Sequence, residues 1–594
     1  MLRRRLSQQT KPETPAATPA QALPVKEKII PAELIILFIV ILAVGFFVRA
    51  YPILVAESQL KATYGRYFLF DDDSWWHQHL IDQILQYGRR LDPDPATWAP
   101  EGRPMSHPPG YHYLIAFLAK LFAASSFNVA FWFGPFAGII GIIVCFLLFR
   151  EIYGIIGGFM GASIYAVSYI TIIKTAAGIS RPAGITEAIL IFGLWLFFYT
   201  ERTGRKFLLP IPGLVLGISA LFWEGTLYFY LPIIATYWIL GILAKKATKQ
   251  FNLLCLTTIL VSGLIASLWY YHIFATFGLD AHANTPASVL KTTLFYQTEG
   301  IWDLIIGGAN VFFPAALIIY LILVVKALKN KQTLMKNYLA LVWMTLGLAA
   351  LLLGFGRRFV DIFLIYGIIA VCAYGVATYW NKFSKGKLII ALFISIILLA
   401  NAGVHVYEIS EYYAFYEPYL DMTKITGKEL PENATVMSWF IEGAFITGIG
   451  ARNVWDLYLQ WVPSWAKTRD KVVSTFYLAT NETEALAVLK SLNTTYVFVG
   501  IPYCRSLRLG AMLQAKAINA KPEDYFKSYT PATGGASEFG PTEKGRNIMT
   551  TRLIWNSQTG NILKQLAMPD APSAHFQLVW KSQDLQIFLY KVIQ

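Results

Sequence analysis

Charge is what this sequence has least of. Only 14% of its 594 residues are Asp, Glu, Lys or Arg, against roughly 25% in soluble domains. Hydrophobic residues make up 56% and the mean hydropathy is +0.48, which excludes an ordinary soluble protein and implies a polytopic membrane protein. Cysteine is scarce too. Cys145, Cys255 and Cys372 lie inside apolar runs and Cys504 stands alone in a polar region, so no disulfide framework or zinc spacing is readable. Walker loops, dinucleotide fingerprints and HExxH metal signatures are missing. The net charge of +14 does not point to nucleic acid. Its lysines and arginines fall in short tracts between apolar runs, as membrane orientation signals do.

What is present is a series of apolar runs. Residues 1–28 open with Met-Leu-Arg-Arg-Arg and continue Pro/Thr/Ala/Gln-rich, which predicts a disordered basic tail on the cytoplasmic side. It does not read as a signal peptide, because the apolar run begins late, is long and lacks a small-residue cleavage site. The first span is expected at about 31–47, followed by an outer loop over 51–126 with amphipathic segments at 77–89 and 111–122. The second is short for a span and follows Pro104, Pro108, Pro109 and Gly110, which places it along the interface. Ten further spans are expected at 127–149, 155–172, 185–200, 207–222, 225–244, 252–272, 304–325, 338–355, 359–380 and 387–404, eleven in all. That odd count puts the N-terminus inside and the C-terminus outside, and every strongly basic short loop then lands on the cytoplasmic face. Residues 29–404 thus read as a multi-span membrane domain with outer loops 51–126, 174–184 and 273–303. Beyond it, 405–594 carries charges, turn residues and strand-like runs, including a final hairpin expected from 576 to 593, and reads as a mixed α/β extracytoplasmic domain.

On this topology three acidic places face the outer compartment. The first is Asp71-Asp72-Asp73, followed by Ser74-Trp75-Trp76-His77. Adjacent acids repel one another, and a divalent cation is one way to stabilise them; a solvated acidic loop with an interfacial aromatic belt is the other reading. The second is Glu187 in Ser180-Arg181-Pro182-Ala183-Gly184-Ile185-Thr186-Glu187, where a carboxylate opening an apolar helix is stabilised by the peptide dipoles or simply caps the helix. The third is Glu299 in the outer loop, functional or an ordinary polar loop residue. Arg357 and Arg358 sit at an outer span end, against the positive-inside trend, as phosphate contacts, interfacial anchors or a salt bridge to Asp361. Acids for a cation with arginine for phosphate suggest an activated lipid phosphate or pyrophosphate as substrate.

The arrangement resembles the catalytic subunit of oligosaccharyltransferase, of the single-subunit archaeal and bacterial kind, a membrane glycosyltransferase of the GT-C type. Asp73-Ser74-Trp75-Trp76-His77 is similar to that family's Asp-Pro-Tyr-Tyr-His segment, and Ser180-Arg181 through Glu187 to its Ser-Arg-Thr…Gly…Asp segment. Gln297-Thr298-Glu299 sits where the family keeps its loop glutamate, Arg358-Phe359 resembles its Arg-Phe pair, and Trp439-Phe440-Ile441-Glu442-Gly443 falls where its Trp-Trp-Asp-Tyr-Gly acceptor motif stands. The chain departs from the family pattern in having two spans fewer, Pro182 after Ser-Arg, and Ile441 in place of the acceptor-binding aspartate.

The resemblance implies transfer of a glycan from a polyprenyl (dolichyl- or undecaprenyl-type) phosphate or pyrophosphate to asparagine of secreted or membrane proteins, with inversion, at the outer face of the cell membrane. It implies Asp73, Glu187 and His77 as ligands of Mg²⁺ or Mn²⁺, with Asp72 in reserve, and Arg358 at the donor phosphate. Glu299 would join Asp73 and Glu187 in catalysis and engage the acceptor with Trp439, Phe440 and Gly443. The alternative enzyme uses a polyprenyl-phosphate monosaccharide and a non-asparagine acceptor. A lipid flippase or transporter is disfavoured, because apart from Glu224 and Lys174 near span ends the apolar runs carry almost no ionisable residue. Nucleic acid is not expected as a partner.

Overall fold

The computed structural model describes residues 32–64, 68–223, 225–245, 247–277, 312–353, 360–380, 391, 394–407, 421–432, 434–438, 440–455, 466–500, 526–529, 538–541, 575–581 and 587–593. The predicted tail 1–28, most of the 273–303 loop with Glu299, the segment with Arg357, Arg358 and Phe359, Glu224 and Trp439 lie outside these residues. The chain divides into two units, 1–40 and 41–594. The described part of the first is the start of helix α1 (Ala32–Tyr64), and everything below belongs to the second. Six helices among the described residues are long and apolar enough to cross a membrane, with four shorter apolar helices beside them.

The membrane region follows the apolar pattern with shifted ends. Helix α1 runs to Tyr64, well past the expected first span, so the outer loop begins later than 51. The two amphipathic segments of that loop are α2 (Asp72–Tyr87) and α3 (Gly110–Leu121). Helix α3 buries Tyr111, His112, Ile115, Ala116 and Ala119 and leaves Phe117 and Leu121 outward. Next come α4 (Ser126–Tyr153), α5 (Ile155–Val167), α6 (Tyr169–Ile173) and α7 (Pro182–Thr203). The expected 155–172 span is thus two helices, broken where Ser168 takes extended backbone angles and turns its hydroxyl back to Ile164 O at 2.7 Å. Helices α8 (Ile211–Ala220), α9 (Gly225–Leu243), α10 (Lys249–Phe277), α11 (Phe313–Lys329), α12 (Tyr338–Leu353), α13 (Ile365–Tyr379) and α14 (Ile394–Tyr407) complete it.

One cation lies fully buried among these helices. Arg49 of α1 has no exposed surface. Its Nε donates to Thr175 Oγ1 at 2.7 Å, Nη1 to Gly45 O and Ala166 O at 2.8 Å each, and Nη2 to Thr171 Oγ1 at 3.3 Å. Gly138 of α4 gives it room, since a Cβ there would collide with the guanidinium. The Arg49 carbonyl accepts from Ala177 N at 2.9 Å, so one residue pins the whole 171–177 turn. A buried guanidinium needs nearly all its donors satisfied, and here neutral oxygens do so.

The C-terminal part contains a five-stranded sheet in the order β2-β1-β3-β7-β6. Strands β1 (Thr435–Met437), β2 (Arg452–Asn453) and β3 (Tyr496–Gly500) are parallel, joined through helices α15 (Phe440–Gly448), α16 (Ala466–Leu478) and α17 (Glu482–Ser491). The terminal hairpin β6 (Phe576–Lys581) and β7 (Ile587–Val592) adds antiparallel to β3, and β4 (Phe526–Tyr529) pairs with β5 (Glu538–Pro541) separately. Buried Val497, Phe498, Val499, Phe588 and Leu589 form its centre. Helix α15 packs on α2: Trp75 meets Phe445 edge-on at 5.1 Å between centroids, and Trp76, Leu80, Met105 and Ala444 form one apolar cluster. Gly448 is required there, because an added Cβ would lie 2.7 Å from Trp75 Cβ.

Arg49→Met should lower the stability of the detergent-solubilised protein by about 3 kcal/mol, because buried carbonyls and hydroxyls lose a charged donor. Arg49→Lys should fall between. Thermal unfolding is the readout, and an unchanged midpoint for Arg49→Met would show that the guanidinium does not hold the 171–177 turn.

Candidate functional site

The site begins with the way α2 starts. Asp71, extended at φ −137° and ψ 158°, is the N-cap, and its Oδ1 accepts from Ser74 N at 2.5 Å. This places Asp71 outside the helix and Asp72 and Asp73 in its first turn. Asp71 is wholly buried, while Asp72 and Asp73 open the helix half-buried. Arg181 Nε donates to Asp71 Oδ2 at 2.7 Å and lies 3.5 Å from Asp73 Oδ2. Burial pushes the Asp71 carboxyl up, and the Arg181 guanidinium opposes this only in part. Asp72 is driven well up by desolvation and by repulsion from Asp73 and Asp71.

The acid loop and the 174–187 segment are locked by neutral bonds as well. Ser180 N donates to Ser74 Oγ at 2.7 Å, and the Tyr111 and Ser180 hydroxyls are 2.7 Å apart. Phe70 N donates to Gly178 O at 3.0 Å, and Gly178 N to Phe131 O at 2.9 Å. Gly178 has φ +81°, and a Cβ there would strike Phe70 at 2.5 Å, so glycine alone serves.

Glu187 is not the helix cap that the sequence suggested. Arg181 is the N-cap and Pro182 the first residue of α7, so Glu187 sits in the second turn, buried. Its charge is met by side chains instead of helix dipoles. Lys174 Nζ donates to Oε1 at 2.6 Å, and Tyr366 OH of α13 to Oε2 at 3.1 Å.

His77 points into the inner face of α3. Its Nδ1 lies 2.8 Å from His112 Nε2, with His107 and Trp76 ringed around the pair. Arg90 closes the cluster, donating to His107 O at 2.8 Å. Burial, with Arg181 and Arg90 nearby, pulls the His77 imidazole down to about 3. His112 is pulled well down by burial and by His77, Arg90 and His107. Beside them Asp94 accepts from His79 Nε2 at 3.2 Å, Gln83 Nε2 at 2.8 Å and Thr97 Oγ1 at 2.5 Å. Burial alone would push Asp94 up, yet His79, Thr97 and the Ala96 N–H together hold it below the usual carboxylate range.

Of the acceptor-motif residues, Gly443 is described. It is buried on α15, and its carbonyl accepts from Asn453 Nδ2 at 2.6 Å. Asn453 also accepts Trp98 N at Oδ1 (3.2 Å) and exchanges backbone bonds with Ala96 and Ala99, tying the sheet to the outer loop. The chain from Phe440 onward is a helix, with Glu442 buried in its first turn. Trp439 and the side chains of Phe440 and Ile441 lie outside the described residues.

Sequence reasoning passed over Asp71 as a cap, Tyr366, His112 and Asn453. For Lys174 a signal existed, an isolated lysine at the end of an apolar run. The donor set of Asp73 and Glu187 is all oxygen, which fits a hard cation, and three acids facing Arg181 leave negative charge for one to offset. His77 could join only through Nε2, since Nδ1 is bonded to His112. Among the described residues no three His, Cys, Asp or Glu side chains are gathered so that they could hold one ion.

Residues 36–298 match the family described as "Oligosaccharyl transferase STT3, N-terminal". The chain is 28% identical to dolichyl-phosphooligosaccharide-protein glycotransferase 1 of Pyrococcus furiosus over 212 residues, 34% of this chain and 20% of that protein's length. The fold is similar to the crystal structure of the oligosaccharyltransferase of Archaeoglobus fulgidus in the apo form, with a TM-score of 0.68 at 14% identity over 93% of this chain and 80% of that one. The same archaeal enzyme in complex with an inhibitory peptide and a dolichol-phosphate gives 0.67 at 15% identity over 93% and 80%. Its complex with Zn and sulfate gives 0.65 at 15% identity over 92% and 79%. The resemblance to the oligosaccharyltransferase catalytic subunit is thereby borne out, and the protein has the fold of a multi-pass membrane glycosyltransferase.

The histidine pair makes stability pH-dependent with a definite sign. Unfolded, each histidine takes a proton near pH 6.5, whereas folded His77 does so at about 3. Their contribution is therefore complete above about pH 6.5 and is lost as pH falls, by up to about 1.4 kcal/mol per pH unit for each group. The unfolding midpoint in detergent should drop between about pH 6.5 and 4.5, and His112→Gln should flatten that slope. A midpoint independent of pH there would contradict the burial of neutral imidazoles.

Proposed function

We propose that this protein transfers a glycan from a polyprenyl phosphate or pyrophosphate carrier to asparagine of secreted or membrane proteins, inverting the anomeric carbon. The observation that carries it is a three-way junction. The acid loop meets the 174–187 segment through Arg181–Asp71 and Ser180–Ser74, and the acceptor-motif helix α15 packs on α2 through Trp75 and Phe445. The family match over 36–298 and the likeness to an archaeal enzyme solved with dolichol-phosphate and a peptide support the same reading. With eleven spans and the N-terminus inside, the junction lies on the outer face of the cell membrane and 405–594 forms the extracytoplasmic domain.

Asp73 and Glu187 would hold Mg²⁺ or Mn²⁺, whereas His77, bound to His112, is not gathered with them. A divalent cation there supplies Lewis-acid charge to the oxygens of the departing phosphate. The remaining work falls to side chains. Arg181 holds the repelling Asp71 and Asp73 in place, and Tyr366 fixes the orientation of Glu187. Arg358 binds donor phosphate by its planar fork. Glu299 closes on the acceptor as the third catalytic carboxylate. Trp439 and Phe440 pack against the acceptor, and Gly443 lets the chain run close beside it.

Asp73→Ala or Glu187→Ala should each cut transfer by about 100-fold or more while the protein remains extractable and folded. Chelator should inhibit the wild type and Mn²⁺ should restore it. Full activity in chelator would sink the metal-dependent reading, as would an active double alanine variant.

Acceptor selection is tested with labelled lipid donor and the peptides Asn-Ala-Thr, Asn-Ala-Ser and Asn-Ala-Ala in detergent. Ile441 can accept no hydrogen bond, and a buried hydroxyl left unpaired costs about 1–3 kcal/mol. Threonine should therefore be preferred to serine through its methyl group, with a weak requirement for the hydroxyl, and Ile441→Asp should sharpen that requirement. Strong hydroxyl dependence in the wild type would mean that another residue reads it. Transfer to some other acceptor but to no asparagine peptide would place the protein with the monosaccharide-phosphate enzymes.

A further inference from the structure

Lys174 ends the short helix α6 and lies in the segment that also carries Arg181 and Glu187. Its Nζ donates to Glu187 Oε1 at 2.6 Å, with the lysine side chain 18% exposed and the glutamate 4%. Tyr366 OH donates to the other oxygen at 3.1 Å. Both oxygens of this carboxylate are therefore engaged by the chain itself. The two donors differ in kind. The tyrosine is buried on α13, whereas the lysine is partly exposed on a flexible four-carbon stem and carries a full charge.

We propose that Lys174 is an internal counter-ion of the metal site: its ammonium occupies Glu187 until a divalent cation displaces it. The inference rests on the reading of Glu187 as a metal ligand. An ammonium has donors only, so it cannot share a ligand oxygen with a cation without bringing two like charges into contact. With Tyr366 as its neutral donor, a buried ionised carboxylate is stabilised further by whichever cation, ammonium or metal, occupies it. Lysine suits a partner that leaves, because its stem can swing toward solvent while Tyr366 keeps the carboxylate aimed. Arginine would bind more rigidly through its fork. The lysine thus sets the affinity of the site for its ion, and ion binding exposes an ammonium beside the place where an anionic donor would lie.

The test uses the full chain in detergent and Mn²⁺ as probe. Free Mn²⁺ is counted by electron paramagnetic resonance, and acylation of Lys174 by an amine-reactive reagent is followed by mass spectrometry. Lys174→Met should bind Mn²⁺ at least about tenfold tighter than wild type, because a competing unit charge is gone. Lys174→Met with Glu187→Gln, which leaves no unpaired buried charge, should lose that gain. In the wild type, which needs no variant to fold, Lys174 acylation should rise as Mn²⁺ saturates. Mn²⁺ binding without a change in Lys174 reactivity, or with equal affinity in Lys174→Met, would overturn the counter-ion role and leave the metal reading intact. No Mn²⁺ bound by either protein would overturn the metal reading and this inference with it.

Discussion

The contact between Asp71 and Arg181 is the constraint on which the site depends. Asp71 ends the extended chain before α2, and Arg181 ends the extended chain before α7. Each stands at the N-cap position of its own helix, and the 2.7 Å bond between them fixes one helix start against the other. Because Asp71 is wholly buried, its charge cannot be left alone, and the guanidinium is the nearby group that meets it. The Ser180–Ser74 and Tyr111–Ser180 bonds then add direction to what charge alone would leave loose.

Around that contact the protein keeps acids and bases in separate, complementary pairs. Arg181 serves the first loop and Lys174 serves Glu187, though both come from one short stretch of chain. Arg49, the deepest cation, is supported by oxygens of the 165–175 region and anchors the turn from which Lys174 projects. The position of the Glu187 partner therefore traces back to a guanidinium in the first helix. The histidine cluster does a different job. Held neutral by burial, His77 and His112 join α2 to α3 and make the outer loop a packed unit instead of a mobile strap.

The soluble part is joined to that unit by an apolar face and a polar one. Trp75, Trp76 and Leu80 of α2 receive Ala444 and Phe445 of α15, and the absence of a side chain at Gly448 lets the backbones close. On the polar side Asn453 uses its amide and its backbone to hold Ala96, Trp98 and Ala99, while Arg469 donates to Ala99 O at 2.9 Å. Such a seam places the helix that follows Trp439 beside the acid loop.

The sequence by itself determined the membrane class and the approximate order of helices. These properties are local, since burying a helix in lipid depends on its own length and composition. It also carried enough of the motif order to point to the family whose model matches residues 36–298. It did not determine which atoms meet. Glu187 read as opening its helix because its apolar run starts there, whereas the helix starts at Pro182 and the carboxylate is met by Lys174 and by Tyr366, 179 residues away. Phe440–Gly448 forms a helix that packs on α2, a contact for which the sequence carries no local signal. Asn453 and Trp98, 355 residues apart, carry no local signal for each other. Only tertiary structure decides such pairs, because a buried charge or amide takes whatever partner packing brings within about 3 Å, at any distance along the chain.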